Sequence, residues 1–128
     1  MESNNIQSNN IQSNNFIKKK LEVDRILSTY PEKIPIIVKK NKLCKDLPNL
    51  DKLKYLAPFN LSLYKFSYIL RKRLNLPSHQ AFIIYQFDPY TTTKRFLNGS
   101  CLMSEVYSNY KSPDGFLYIE YDSENTFG

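Results

Sequence analysis

Two hydrophobic periods alternate along this 128-residue chain, and their order leaves few folds open. Short runs rich in β-branched and aromatic residues read as strands at 33–40 (KIPIIVKK), 52–58 (KLKYLAP), 81–87 (AFIIYQF) and 116–121 (FLYIEY). Apolar residues recur three and four apart over 16–30, 61–74 and 100–110, the spacing of amphipathic helices. The order is therefore helix, strand, strand, helix, strand, helix, strand.

The boundaries have local causes. In 16–30, Ile17, Leu21, Val23, Ile26, Leu27 and Tyr30 form the apolar face. Lys18, Lys19, Lys20, Asp24 and Arg25 take the other side. Pro31 stops this helix, because a residue before proline avoids the helical region. Pro35 puts its part of the first strand at a sheet edge or bulge. Residues 41–51 read as a loop, and Pro58 ends the second strand. Ser62 is placed to cap the helix of Leu63, Phe66, Ile69, Leu70 and Leu74. Arg71, Lys72 and Arg73 sit in its last turn, where cations complement the helix dipole. Ser100 is the candidate cap of the third helix, with Leu102, Met103, Val106 and Tyr107 inward. Residues 88–98 form a long connection with room for one short extended piece, and Pro113-Asp114-Gly115 is a turn. The nearly continuous apolar run FLYIEY suits a central strand.

Two strands, a helix packed across them and further strands describe an α+β domain of β-grasp type, one mixed sheet with a helix on one face. The five-residue repeat in 3–15 (SNNIQSNNIQSNN) is polar and poor in helix formers. The expected organisation is a flexible extension over 1–15, a folded domain over 16–121 and a polar tail over 122–128.

Composition narrows the function. No apolar stretch reaches the roughly 18–20 residues that span a bilayer, and the start lacks a signal-peptide pattern. Membrane association would need a surface patch or a covalent lipid. The formal charge is +6, unevenly spread: residues 16–60 carry 11 basic and 5 acidic groups, whereas 114–128 carry four acidic groups and no basic one. A basic front suits acidic peptides, anionic lipid or nucleic acid, and equally a plain solvated surface. A nucleic-acid binder would show steep salt dependence, but no such motif is present. Cys44 and Cys101 have no metal-ligand spacing and read as reduced thiols of a cytosolic protein. The single histidine, His79, precedes a strand in a Pro-Ser-His-Gln turn and reads as an exposed loop residue rather than a base. Glu22 and Asp24 point to different helix faces. With three glycines and no phosphate loop, HExxH, CxxC or GxSxG pattern, no catalytic residue, cofactor or metal site is expected.

Six blocks then occur together in order: IPIIV (34–38), DKLKYLAP (51–58), FSYILRKRLNLP (66–77), LMSEVYSNYK (102–111), DGFLYIEY (114–121) and ENTFG (124–128). In these the chain resembles the autophagy-related protein 8 family of ubiquitin-like modifiers, from Phe16 to Gly128. The resemblance implies a ubiquitin-like β-grasp with a mixed four-stranded sheet, preceded by an N-terminal helical extension. It implies a modifier rather than an enzyme. The carboxylate of Gly128 would be activated by an E1-like enzyme, passed as a thioester to an E2-like enzyme and joined to phosphatidylethanolamine, with a deconjugating cysteine protease as a further partner. The protein would be cytoplasmic, with a lipid-anchored pool on autophagosome membranes and the vacuole or lysosome. A glycine suits this, having no Cβ to obstruct a narrow channel; a frayed end that happens to finish in glycine is the plain alternative. A ubiquitin-like adaptor in trafficking or cytoskeletal binding that never receives lipid is the alternative function.

The resemblance also implies capture of autophagy receptors carrying an aromatic-x-x-aliphatic motif, with acidic residues nearby. The peptide would add a strand to an exposed edge, here KLKYLAP. The aromatic pocket would use Glu22, Ile26, Pro35, Ile37, Lys54, Leu56 and Phe116. The aliphatic pocket would use Tyr55, Ala57, Pro58, Leu61, Phe66 and Ile69. Lys33, Lys52 and Lys54 would meet the acidic flank. Read without the family, Ile26, Ile37, Leu56 and Phe116 are ordinary core residues, and Lys54 is an edge lysine that blocks aggregation. The chain departs from the family in its Asn-Ser start, in one extra residue within 41–49, in a longer 87–99 region and in Ala57, where a valine is usual and a wider pocket is implied.

Overall fold

The computed structural model describes residues 2–123, with side chains from residue 13 onward. In chain order these form α1 (Glu2–Thr29), β1 (Lys33–Lys40), β2 (Lys54–Pro58), α2 (Leu63–Arg73), β3 (Ile83–Phe87), β4 (Lys94–Arg95), α3 (Met103–Tyr110) and β5 (Leu117–Asp122). One sheet runs β2-β1-β5-β3-β4, with β1 and β5 parallel and the other neighbours antiparallel. The α+β class and mixed sheet are as the sequence predicts, and β5 is central.

Pleating splits β1 between two cores. Ile34, Ile36 and Val38 face the larger one, with Leu63, Phe66 and Leu70 of α2, Met103 and Val106 of α3, and Leu117, Ile119 and Tyr121 of β5. Ile37 faces the opposite side, where Val23, Ile26 and Leu27 of α1 cover Phe116 and Tyr118. Gly115 fits the second core on two counts. Its φ is +94°, and an added Cβ would lie 2.7 Å from a Val23 methyl.

Several expectations change. The sheet has five strands rather than four, because Lys94–Arg95 pairs with Gln86–Phe87. Asp88 builds that hairpin: its carboxylate accepts the Tyr90 and Thr91 amides, and its own amide donates to the Thr93 carbonyl. The polar sequence TTTKR carries no apolar alternation to announce a strand. Helix α1 begins at Glu2, where residues 1–15 are expected to be a flexible extension; no Pro or Gly interrupts the helical register there. Ile17 and Leu21 are exposed, not inward. At about 100° per residue they lie across the helix from Val23, and Lys19 takes the inward place, donating to the Tyr118 hydroxyl at 3.2 Å.

Ser62 caps α2 as expected, accepting the Lys65 amide at 3.1 Å. Asn75 follows the helix end with φ 55°, the left-handed stop that Asn tolerates. α3 starts at Met103 rather than near Ser100, whose hydroxyl donates to Asn98 instead. Leu102 stands at the N-cap position and is exposed, with its amide held by Glu105. β5 and its burial continue into the expected tail, because Asp122 pairs with Ile83 and accepts the Asn41 side-chain amide at 2.9 Å.

Candidate docking edge

β2 is a sheet edge, and its hydrogen-bond phase decides what it offers. The Val38 amide donates to the Leu53 carbonyl at 2.8 Å, and the Phe59 amide to the Glu32 carbonyl at 3.3 Å. In an antiparallel ladder bonded pairs alternate, so Tyr55 and Ala57 bond β1. The amides and carbonyls of Lys54 and Leu56 therefore face outward. Two outward residues of ladder are enough to seat a short extended segment.

Side chains along this edge divide as the backbone does. Lys54 and Leu56 lie opposite Ile37 and Pro35 and share the α1 side. There Pro35, Ile37 and Phe116 form a buried floor, Glu22 and Ile26 of α1 make a half-buried wall, and Leu56 is 41% exposed. Lys54 bridges strand and helix, its ammonium 2.8 Å from Glu22 and 5.8 Å from the Phe116 ring centroid. This ion pair is solvent-accessible and contributes about 0–1 kcal/mol, so an incoming carboxylate competes for Lys54 at little cost. All seven residues expected for an aromatic pocket are thus gathered at one place. Ile37 and Phe116 are also core residues.

On the other side, Tyr55, Ala57 and Phe66 are buried and belong to the main core. Tyr55 meets Phe66 edge-on at 6.2 Å. Pro58 and Ile69 are exposed and Leu61 is half-buried. Leu61 and Ile69 line a hollow of about 400 Å³ together with Tyr64, Lys65 and Tyr68. Sequence reasoning missed these last three. The available signal was Tyr64 and Tyr68, four residues apart on the α2 face beside Ile69.

A basic rim closes the edge. Lys52 lies 5.2 Å from the Tyr55 ring, and the Arg73 guanidinium 5.7 Å from it. Lys33 is half-buried opposite Pro58. Arg73, also unforeseen, binds both Asp51 oxygens, at 2.9 and 3.2 Å. That hydrogen bond holds the Asp51 carboxyl below its ordinary range. Burial holds the Tyr55 phenol above its own, and its hydroxyl has no hydrogen-bond partner among the described residues. His79 is exposed after α2. Gly128, the expected conjugation residue, lies outside the described residues. Among the described residues no helix is long and apolar enough to cross a membrane.

Comparison with known proteins agrees with this architecture. The family model described as "Autophagy protein Atg8 ubiquitin like" matches residues 18–128. Autophagy-related protein 8e of Arabidopsis thaliana is 44% identical over 113 residues, covering 88% of this chain and 87% of the relative. Autophagy-related protein 8 of Kluyveromyces marxianus is 41% identical over 113 residues, covering 88% and 86%. The crystal structure of Trypanosoma brucei ATG8 superposes with a TM-score of 0.74 at 34% identity, over 88% of this chain and 91% of that one. This chain belongs to the autophagy-related protein 8 family of ubiquitin-like proteins.

Proposed function

We propose that this protein is a ubiquitin-like modifier in autophagy, joined through Gly128 to phosphatidylethanolamine and docking receptors on its β2 edge. The docking half is carried by one observation: the outward backbone of Lys54 and Leu56 forms an open sheet edge, with exposed Leu56 beside the Phe116 floor on one face, Tyr55 and Ala57 on the other, and lysines along it. An extended peptide sends alternate side chains to opposite faces of the sheet, so an aromatic residue reaches the Phe116 side. An aliphatic residue three positions on reaches the Leu61–Ile69 side. Acidic flanking residues meet Lys33, Lys52 and Lys54.

The conjugation half is supported by the family match, which runs through Gly128. The Gly128 carboxylate would attack ATP to form an acyl-adenylate with loss of pyrophosphate. The thiol of an E1-like enzyme would then displace AMP to give a thioester, which passes to the thiol of an E2-like enzyme as the first thiol departs. The lipid amine then attacks the thioester carbonyl, an amide forms and the thiol departs. A cysteine protease reverses the link. Two acyl chains give the stable anchoring that one does not. The protein would exchange between the cytoplasm and autophagosomal membrane.

Reconstitution with the cognate E1-like and E2-like enzymes, ATP and phosphatidylethanolamine vesicles tests this. The expected product is a C-terminal peptide whose mass includes one phospholipid, lost on deletion of Gly128. Unmodified chain under conditions that lipidate a relative would leave the adaptor reading. Membrane puncta persisting in starved cells without Gly128 would do the same.

A further inference from the structure

The loop between β1 and β2 displays Leu43, which is 86% exposed, more than any other large apolar side chain among the described residues. A lone surface leucine needs no explanation. Here three further observations converge on it.

The first is rigidity. The Cys44 amide donates to the Asn41 carbonyl and the Leu43 amide to Asn41 Oδ1, both at 3.0 Å. Lys42 and Leu43 are therefore the tip of a closed turn. Asn41 is 8% exposed and pinned, its Nδ2 donating to the Tyr85 hydroxyl at 3.1 Å and to Asp122 at 2.9 Å. Behind the tip, Cys44 and Leu47 are buried in the main core, and Lys40 Nζ donates to the Leu47 carbonyl. The turn presents Leu43 outward on a fixed base.

The second is charge. Lys42 and Lys45 flank Leu43, are exposed and have no ion-pair partner among the described residues. The nearby Asp46 carboxylate accepts the Ser123 hydroxyl at 3.3 Å.

The third is position. Ser123, the last described residue, lies against this loop, its hydroxyl bonded to Asp46 and 3.9 Å from Cys44 Sγ. Residues 124–128 follow. Five residues extend at most roughly 18 Å, so a group attached at Gly128 stays within that distance of the turn's base.

We propose that the Lys42–Lys45 turn is a bilayer contact. With Gly128 held on an aminophospholipid, Leu43 enters the boundary between headgroups and acyl chains, and Lys42 and Lys45 lie among anionic headgroups. The proposal rests on the conjugation reading. The tether supplies the local concentration that lets one leucine and two lysines suffice. The attraction to anionic lipid weakens with salt. This contact fixes the anchored protein's orientation, with the loop toward the membrane.

The chain has no tryptophan, so Leu43→Trp supplies a single reporter. Two arms separate this contact from conjugation. In the first, the enzymes attach the variant to vesicles, and yield is read by gel mobility. In the second, Gly128→Cys in a Cys101→Ser background is coupled to a maleimide lipid, with no enzyme involved. On vesicles containing phosphatidylserine, anchored Leu43→Trp should shift its emission to the blue, and lipids brominated on their acyl chains should quench it severalfold. A Tyr68→Trp reporter should stay aqueous. Lys42→Glu with Lys45→Glu, or neutral vesicles, should reduce the quenching severalfold. Circular dichroism should be unchanged by all of these surface substitutions, and peptide binding at β2 should be unchanged by those at Lys42, Leu43 and Lys45. A Leu43→Trp emission that anchoring leaves unchanged, or quenching indifferent to both lysines, overturns the contact whatever the enzymes do. A failed enzyme arm beside a quenched maleimide arm sinks conjugation and leaves the contact standing.

Discussion

The two edges of the sheet meet water in opposite ways. At β4 the edge is two residues long, and both are cations folded back over aromatic rings. Lys94 lies 5.2 Å from the Tyr85 ring and Arg95 5.0 Å from that of Tyr110, while Arg95 also donates to Gln86. A short, charged edge is how a sheet discourages unwanted pairing. At β2 the edge is five residues long, bears apolar surface on both sides and leaves two residues of ladder open. The same backbone chemistry is blunted on one side and left open on the other, and that contrast is what the proposed docking at β2 rests on.

The largest effect that separates the edges is expected from Leu56→Pro. Its amide makes no bond to β1, so the fold should survive, but the outward donor is lost and the apolar contact altered. Calorimetry with an acidic aromatic-x-x-aliphatic peptide should show a loss of about 2–4 kcal/mol. Lys54→Ala and Leu56→Ala should each cost roughly 1–3 kcal/mol of peptide binding with thermal unfolding little changed. Unaltered affinity in both would move the site away from β2. Lys94→Ala with Arg95→Ala is the matching control at the other edge, and the same titration should register less than about 0.5 kcal/mol. An equal loss there would erase the contrast. The smallest effect concerns the rim. Because the Arg73 hydrogen bond lowers the Asp51 carboxyl in the folded chain, the pair's stabilisation is present above the unfolded carboxyl's titration. It is lost as pH falls through the folded-state value, below the ordinary 3.8. An NMR titration of Asp51 should show that lowered midpoint, and Arg73→Ala should return it to the ordinary range.

Legibility in the sequence followed the strength of the local signal. β1 is bounded as KIPIIVKK predicts, since a β-branched run between lysines permits few alternatives; Pro35 does not put it at an edge, because β1 lies between β2 and β5. The α2 cap at Ser62 was legible for the same local reason. The β4 hairpin was not, because Asp88 backbone geometry rather than apolar alternation makes it. The inward face of α1 was misread at Ile17 and Leu21 and at Lys19, because apolar residues lie on both sides of that helix and only packing against Phe116 and Tyr118 selects one. The docking residues came from resemblance to a family, not from periodicity. Pattern alone could not say that Leu56 stays exposed while Ala57, one position on, is buried; that follows from the register with β1. Tyr64, Tyr68 and Arg73 join the site through tertiary neighbours that no spacing rule names.

The most direct test is amide hydrogen exchange at Lys54 and Leu56, with and without a saturating acidic aromatic-x-x-aliphatic peptide. Open-edge docking predicts that both amides exchange fast in the free chain and slow at least tenfold when the peptide is bound, while Tyr55 and Ala57 change little. Bound peptide that leaves Lys54 and Leu56 exchanging as in the free chain would contradict it.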